Sequence, residues 1–253
     1  MGIPSDPLIT SLTGKVALVT GGVVRVGRAI ALALAGRGAA VAVTYLGESE
    51  PFAETVEDLR ACGVEAAALQ MDLQMPGAPV RAVQATVERF GRLDILVNSA
   101  SVWLRSPFLE IAAEDWRAAL EINLTGPFLM SQAAARQMLI QRDGLIINIT
   151  DLSAFQPWPE YAHHGASKAG LVALTRTMAV ELAPYVRVNA VAPGTVLLPE
   201  NAPPAKLQWA EQKSLLRRVG HPEDVARTVL YLVDSDFATG AVYFIDGGRA
   251  LVG

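Results

Sequence analysis

Between Leu145 and Lys168 the chain gathers a carboxylate, a phenol, an imidazole and an ammonium into one short strand-to-helix unit. Leu145 to Ile149 is an apolar run of buried-strand length, and Thr150, Asp151 and Ser153 follow it. Just past a strand end is where an open α/β sheet binds its ligands. From about Glu160 the pattern turns helical, with His164 and Lys168 at i and i+4 on one face and Tyr161 one turn earlier. Such a set can move a proton next to a bound charged ligand. The Asp151 carboxylate favours a positive imidazole at His164 and the Lys168 ammonium opposes it, so residue types alone leave the protonation state open. If the carboxylate prevails, His164 is a proton donor near neutral pH; if not, Tyr161 or a water held by Asp151 must serve. His163 points elsewhere on the helix, to a surface or lid.

The elements that must position this unit follow from length and composition. A chain of 253 residues, 51% hydrophobic, can bury one large core. A formal net charge of -4 without a lysine and arginine run argues against nucleic-acid or membrane surfaces and for a small-molecule substrate. No apolar run reaches membrane-span length and the first ten residues lack a signal-peptide pattern, so a cytoplasmic protein is expected. Cys62 is the only cysteine, and the three histidines show no metal-ligand spacing, so no metal is expected.

Residues 1–12, with Pro4 and Pro7, read as a flexible N-terminal arm, and 13–253 as a single domain. Lys15 to Thr20 is a buried strand that stops at Gly21-Gly22, and Arg28 to Arg37 is a strong helix former. Strand, glycine turn and helix start make an anion site, where unpaired N–H groups meet a pyrophosphate. Further strands are expected at 39–44, 64–70, 94–98, 186–191 and 241–245. Helices are expected at 54–61, 80–90, 107–141, 161–182 and 224–232. Alternating strand and helix means a doubly wound, Rossmann-like parallel sheet. The second strand ends at Thr44-Tyr45 without the acidic residue that suits NAD, and Arg25 in the glycine turn can reach a 2′-phosphate, so the cofactor reading is NADPH. Ser49 adds a hydroxyl, Glu48 is an unfavourable neighbour, and a solvated Arg25 is the alternative. Asp72 either touches the adenine edge or caps a helix.

With these parts in order, the chain resembles the short-chain dehydrogenase/reductase family over nearly its whole length. Arg25, Asp151 and the segment Asn98-Ser-Ala-Ser101 are similar to its pteridine reductase branch. The resemblance implies cofactor contacts at Gly21, Arg25, Val26, Gly27, Thr44, Tyr45, Ser49, Asp72, Leu73, Asn98, Ala100, Lys168, Pro193 and Gly194. It gives Asn123 a water on the proton path, and gives Lys168 the nicotinamide ribose and electrostatic help to the acid. Where the family carries a tyrosine four residues before the lysine, this chain has His164, a different donor in length and charge. Trp103 matches an aromatic ring laid over a pterin, with core packing as the alternative, and Ser101, Tyr161 and Leu198 join it at the substrate. Residues 195–207 match an irregular substrate lid, and the two longest helices match the pair that builds a homotetramer. The expected function is an NADPH-dependent reductase of a pterin-like heterocycle. A general carbonyl or 3-oxoacyl reductase and a cofactor-binding regulatory protein are the alternatives.

Overall fold

The computed structural model describes residues 10–199 and 202–252. Seven parallel strands make one sheet in the order β3-β2-β1-β4-β5-β6-β7. They are β1 (Val16–Val19), β2 (Ala40–Tyr45), β3 (Ala66–Gln70), β4 (Ile95–Asn98), β5 (Gly144–Ile149), β6 (Val186–Pro193) and β7 (Val242–Ile245). The central strands are buried end to end because helices cover both faces, which is why they read as unbroken apolar runs. Alternate side chains feed two separate cores. Ala17, Val19, Ile95, Val97, Leu145 and Ile147 pack beneath α1 (Arg25–Ala35), α2 (Phe52–Ala61) and α8 (Pro222–Asp234). Leu18, Leu96 and Ile146 pack beneath α3 (Ala78–Phe90), α5 (Gly126–Gln141) and α6 (Ala162–Glu181). Each fully buried leucine or isoleucine here contributes about 1.5 to 3 kcal/mol.

Three expectations change. The helix expected over 107–141 is interrupted: α4 (Ala113–Leu120) runs into a π-turn over Glu121–Thr125, and α5 follows. The lid contains a helix, α7 (Pro204–Lys213), whose first residue is a proline already shaped for helix position N1. Of the N-terminal arm, residues 1–9 lie outside the described residues. Residues 10–12 are tied down, with Leu12 buried and the Thr10 N–H donating to Asp234 at 3.0 Å. No described helix is long and apolar enough to cross a membrane, and the described residues contain no group of three or more His, Cys, Asp or Glu able to hold a metal ion.

At the end of the sheet opposite the site, Asp94 is only 4% exposed and gathers Lys15, Arg92 and the Val16 N–H. Burial works to raise its carboxyl, but the Arg92 and Val16 hydrogen bonds and the Lys15 contact outweigh it and hold it below the usual carboxylate range. A depressed carboxyl contributes stability that is fully present above its unfolded value of ~3.9 and is lost as the pH falls from there through the lower folded value. Asp94→Asn is expected to cost about 3 kcal/mol at neutral pH. Urea unfolding as a function of pH checks this: wild type loses stability below pH ~4 more steeply than the variant does.

Candidate active site

The anion cradle is built by close approach. Gly21 holds φ +59, and a Cβ on Gly27 would stand 2.2 Å from the Gly21 carbonyl oxygen. Only glycine at 27 lets α1 start this tightly against the turn. Thr44 locks the turn from β2: its hydroxyl accepts from the Gly21 N–H at 3.0 Å and its carbonyl from the Gly22 N–H at 3.1 Å. Thr20 does the same for the loop after β4, accepting from the N–H groups of Ser99 and Ala100. The first turn of α1 has no side-chain cap and no acidic residue, so its N–H groups and positive end face the crevice. These features fit a dinucleotide pyrophosphate. Arg25 stands exposed at the head of α1 with φ +51, a strained setting for a residue that is not glycine.

The catalytic cluster lies where β5 ends and α6 begins. His164 Nε2 is 2.7 Å from Asp151 Oδ2, and His164 Nδ1 is 3.2 Å from the Val102 carbonyl. Nε2 thus faces a carboxylate oxygen, while Nδ1 faces the Val102 carbonyl and, at 3.4 Å, the Asn123 amide nitrogen. His164 is 1% exposed and Asp151 13%, so the carboxylate is the member of the pair that reaches the crevice. Burial acts to raise the Asp151 carboxyl, and the His164 hydrogen bond, the Lys168 charge and the Ser153 hydroxyl together hold it below the usual carboxylate range. Lys168 is buried and donates to the Ile149 carbonyl at 3.0 Å. Burial pushes its ammonium below the ordinary lysine range, and Asp151 opposes the shift. Trp103 lies 4.4 Å from the His164 ring, centroid to centroid, and 5.1 Å from Tyr161, and is 53% exposed. It roofs the pair and is not core.

Several expected roles move. His164 is covered by Trp103, so direct contact with a substrate passes to Asp151. The Asn123 side chain is fully engaged within the protein: its oxygen accepts from Ser101 Oγ and the Val102 N–H, and its nitrogen meets the Val102 carbonyl, Ser167 and, at 3.4 Å, His164. Held by the π-turn, it fixes the Val102 loop on the imidazole. Asn98 turns inward, donating to Ser131 at 3.0 Å and Asn148 at 2.9 Å, and Asn148 donates on to Thr175, so the chain of amides ties β4 and β5 to α5 and α6. Thr44 braces the glycine turn, as described, and its side chain is not free for a ribose. The Leu73 side chain is core, over Gly126, and Val26 packs partly into the other core. Asp72 caps no helix, because α3 starts at Ala78; its carboxylate accepts from the Gln74 N–H. Tyr45 stacks on Phe52 at 4.2 Å, and Ser49 is exposed in the loop beyond. Pro193 ends β6, and the N–H of Gly194, which follows it, donates to the Ile245 carbonyl of β7 at 2.9 Å. Leu198 is half-buried in the segment before α7. His163 is no surface residue: it is fully buried, with no hydrogen-bond partner on either ring nitrogen. Sequence reasoning passed over Thr20, Ser131, Ser167 and Thr175, whose only signal is a hydroxyl in an apolar run.

A parallel sheet with a glycine cradle at one strand end and an acid–base cluster with a lysine at another defines a nicotinamide-dependent oxidoreductase. The chain belongs to the short-chain dehydrogenase/reductase family. A family profile described as enoyl-(acyl carrier protein) reductase matches residues 22–250. The chain is 39% identical to a 3-oxoacyl-[acyl-carrier-protein] reductase of Synechocystis sp. over 96% of its own length and 100% of the relative's. Among solved structures, a doubly substituted short-chain dehydrogenase/reductase of Serratia marcescens superposes with a TM-score of 0.89 at 35% identity, covering 95% of this chain and 100% of that one. Acetoin dehydrogenase of Enterobacter cloacae superposes with a TM-score of 0.88 at 36% identity, covering 95% and 97%. The names 3-oxoacyl reductase and acetoin dehydrogenase describe carbonyl and alcohol chemistry, and the profile's name an enoyl reduction; the likeness to the pteridine reductase branch rests on Arg25, Asp151 and residues 98–101 alone.

The cradle gives a direct test. Gly27→Ala is expected to cost about 1 to 3 kcal/mol of stability, by forcing backbone against backbone, and to weaken NADPH and NADH binding alike. Gly47→Ala, where a Cβ meets nothing within 4 Å, is the control and should stay within about 0.5 kcal/mol of wild type. Thermal denaturation and cofactor titration read both.

Proposed function

We propose that the chain is an NADPH-dependent reductase of small carbonyl compounds in which the Asp151–His164 pair replaces the family's tyrosine as proton source. The observation that carries the reading is the 2.7 Å contact between His164 Nε2 and Asp151 Oδ2, one helical turn from a buried Lys168. When bound, the nicotinamide supplies a hydride to the carbonyl carbon. The glycine cradle would hold its pyrophosphate, Lys168 its ribose, and Arg25 a 2′-phosphate. The proton would pass from His164 Nε2 to Asp151 Oδ2 and from there to the substrate oxygen as charge builds on it, leaving a neutral imidazole and an ionised carboxylate that solvent recharges. Asn123 and the Val102 carbonyl keep the ring aligned for that transfer, and the Lys168 ammonium lowers the cost of charge building on the oxygen. Trp103 shields the pair from water.

The exposed, unpacked face of Trp103 favours a second reading, a flat heterocycle such as a dihydropterin stacked on the indole. NADPH oxidation with a panel of ketones, oxoacyl thioesters and dihydropterins separates the two: turnover confined to dihydropterins would reject the carbonyl reading. The outward apolar side chains Ile140 and Val180, 79% and 80% exposed, support a homotetramer joined through α5 and α6.

Two variants test the site itself. Arg25→Ala should weaken NADPH by on the order of tenfold or more while leaving NADH nearly unchanged, because a charge-assisted phosphate contact is lost; parallel fluorescence titrations measure it. Asp151→Asn and His164→Gln should each lower kcat by about 10² or more, and the double variant should be little worse than either, because the two act as one unit. Independent, multiplying losses would show that the pair is not the proton source.

A further inference from the structure

Beyond β7 the chain folds back over the mouth of the site and presents Arg249. Asp246 shapes this turn, accepting from the Gly248 N–H at 2.8 Å and the Ala250 N–H at 2.7 Å, so both of its oxygens are engaged there. The Arg249 guanidinium carbon lies 5.2 Å from the Trp158 ring and 4.9 Å from the Trp209 ring. Trp158 belongs to the loop between β5 and α6, and Trp209 to the lid helix α7. Trp158 in turn lies 5.5 Å from Trp103, the roof of His164. Arg249 is therefore two aromatic rings from the proton source. One of its nitrogens donates to Thr195 Oγ1 at 3.0 Å, and among the described residues no carboxylate pairs with it. Its neighbours Arg218 and Arg227 differ, since both pair with Asp224. Burial pulls the Arg249 guanidinium below its ordinary range, and Asp246 and Asp151 act in the opposite sense, which places it within the electrostatic reach of the site carboxylate.

We infer that Arg249 is the anchor for a carboxylate on the substrate, so that the compounds reduced are oxo acids and the reverse substrates hydroxy acids. A guanidinium held by aromatic rings offers its remaining N–H groups along one planar edge, and a carboxylate meets such an edge with two parallel hydrogen bonds. A spherical or strongly hydrated anion gains less from that shape. Anchoring the acid end costs nothing in the reacting carbonyl and fixes its orientation toward the nicotinamide side. The lid helix is drawn in as well, because Trp209 packs on the same cation that the acid neutralises.

The inference rests on the carbonyl reductase reading, and the test separates the two. Acetoacetate, levulinate and their methyl esters are compared as substrates of wild type, Arg249→Gln, Arg249→Lys and Arg227→Gln, with tryptophan fluorescence of the NADPH-saturated protein reporting binding in parallel. Wild type should prefer each acid over its ester by at least about tenfold in kcat/KM. Arg249→Gln should raise KM for the acids by a similar factor and leave the esters unchanged, Arg249→Lys should recover part of the loss, and Arg227→Gln should match wild type. Equal use of acid and ester by wild type would overturn the inference, as would an Arg249→Gln effect that falls equally on both together with a lower Tm, the mark of a structural clamp. Acid binding that depends on Arg249 without any turnover would uphold the anchor and reject the reductase reading. Preference for an acetoacetyl thioester of a phosphorylated carrier over free acetoacetate, lost in Arg249→Gln, would assign the arginine to a phosphate and overturn the carboxylate.

Discussion

The contact between His164 and Asp151 joins the end of β5 to the first turns of α6, and the rest of the site is arranged around its burial. An imidazole with 1% exposure beside a carboxylate needs partners for every polar atom, since an unpaired one costs about 1 to 3 kcal/mol. Val102 supplies an acceptor, Ser153 a donor, and Lys168 a compensating charge. Asn123 is in turn required to hold Val102 where the ring can use it. A phenol, with a single oxygen at its tip, makes fewer such demands than an imidazole with two ring nitrogens. The imidazole is thereby tied to a network whose more exposed end is Asp151, 13% exposed against 1% for His164.

The sheet makes that network possible. Strands buried on both faces can carry polar side chains only where the neighbouring strand answers them, and the register sets Asn98 beside Asn148. Their amide contact extends through Thr175 into α6 and through Ser131 into α5. The helix bearing His164 and Lys168 is thereby fixed to the two central strands by directional bonds as well as by apolar packing, which alone tolerates small slips.

The strands and most helices were legible because their burial is simple: an apolar run with both faces covered, or an amphipathic repeat with one. Asp151, His164 and Lys168 were legible as a cluster because their spacing brings them to one strand end. What was not legible depended on tertiary answers. Asn123 and Asn98 look like ligand-binding amides in sequence, and only the fold shows that the whole Asn123 amide and the Asn98 nitrogen are already taken inside the protein. His163 and His164 are neighbours, and nothing in sequence says that both are buried while only one finds partners. The helix α7 hid behind Pro199, Pro203 and Pro204, of which the last starts a helix and does not break one. Arg249 drew no notice, since its tryptophan neighbours lie about 40 and 90 residues away in the chain.

The π-turn at Glu121–Thr125 sets the phase between two helices. An α-helix advances ~100° per residue, so one residue more in a turn rotates everything after it by that angle about the axis. With the extra residue, α5 presents Met130, Ala134 and Met138 to the sheet. If the same residues wound as unbroken α-helix, that face would swing by about 100° toward solvent. The locally irregular backbone is thus the geometric condition for a correctly aimed neighbour. It makes the aim of α5 depend on how this one turn is wound, even where each of its side chains can be exchanged.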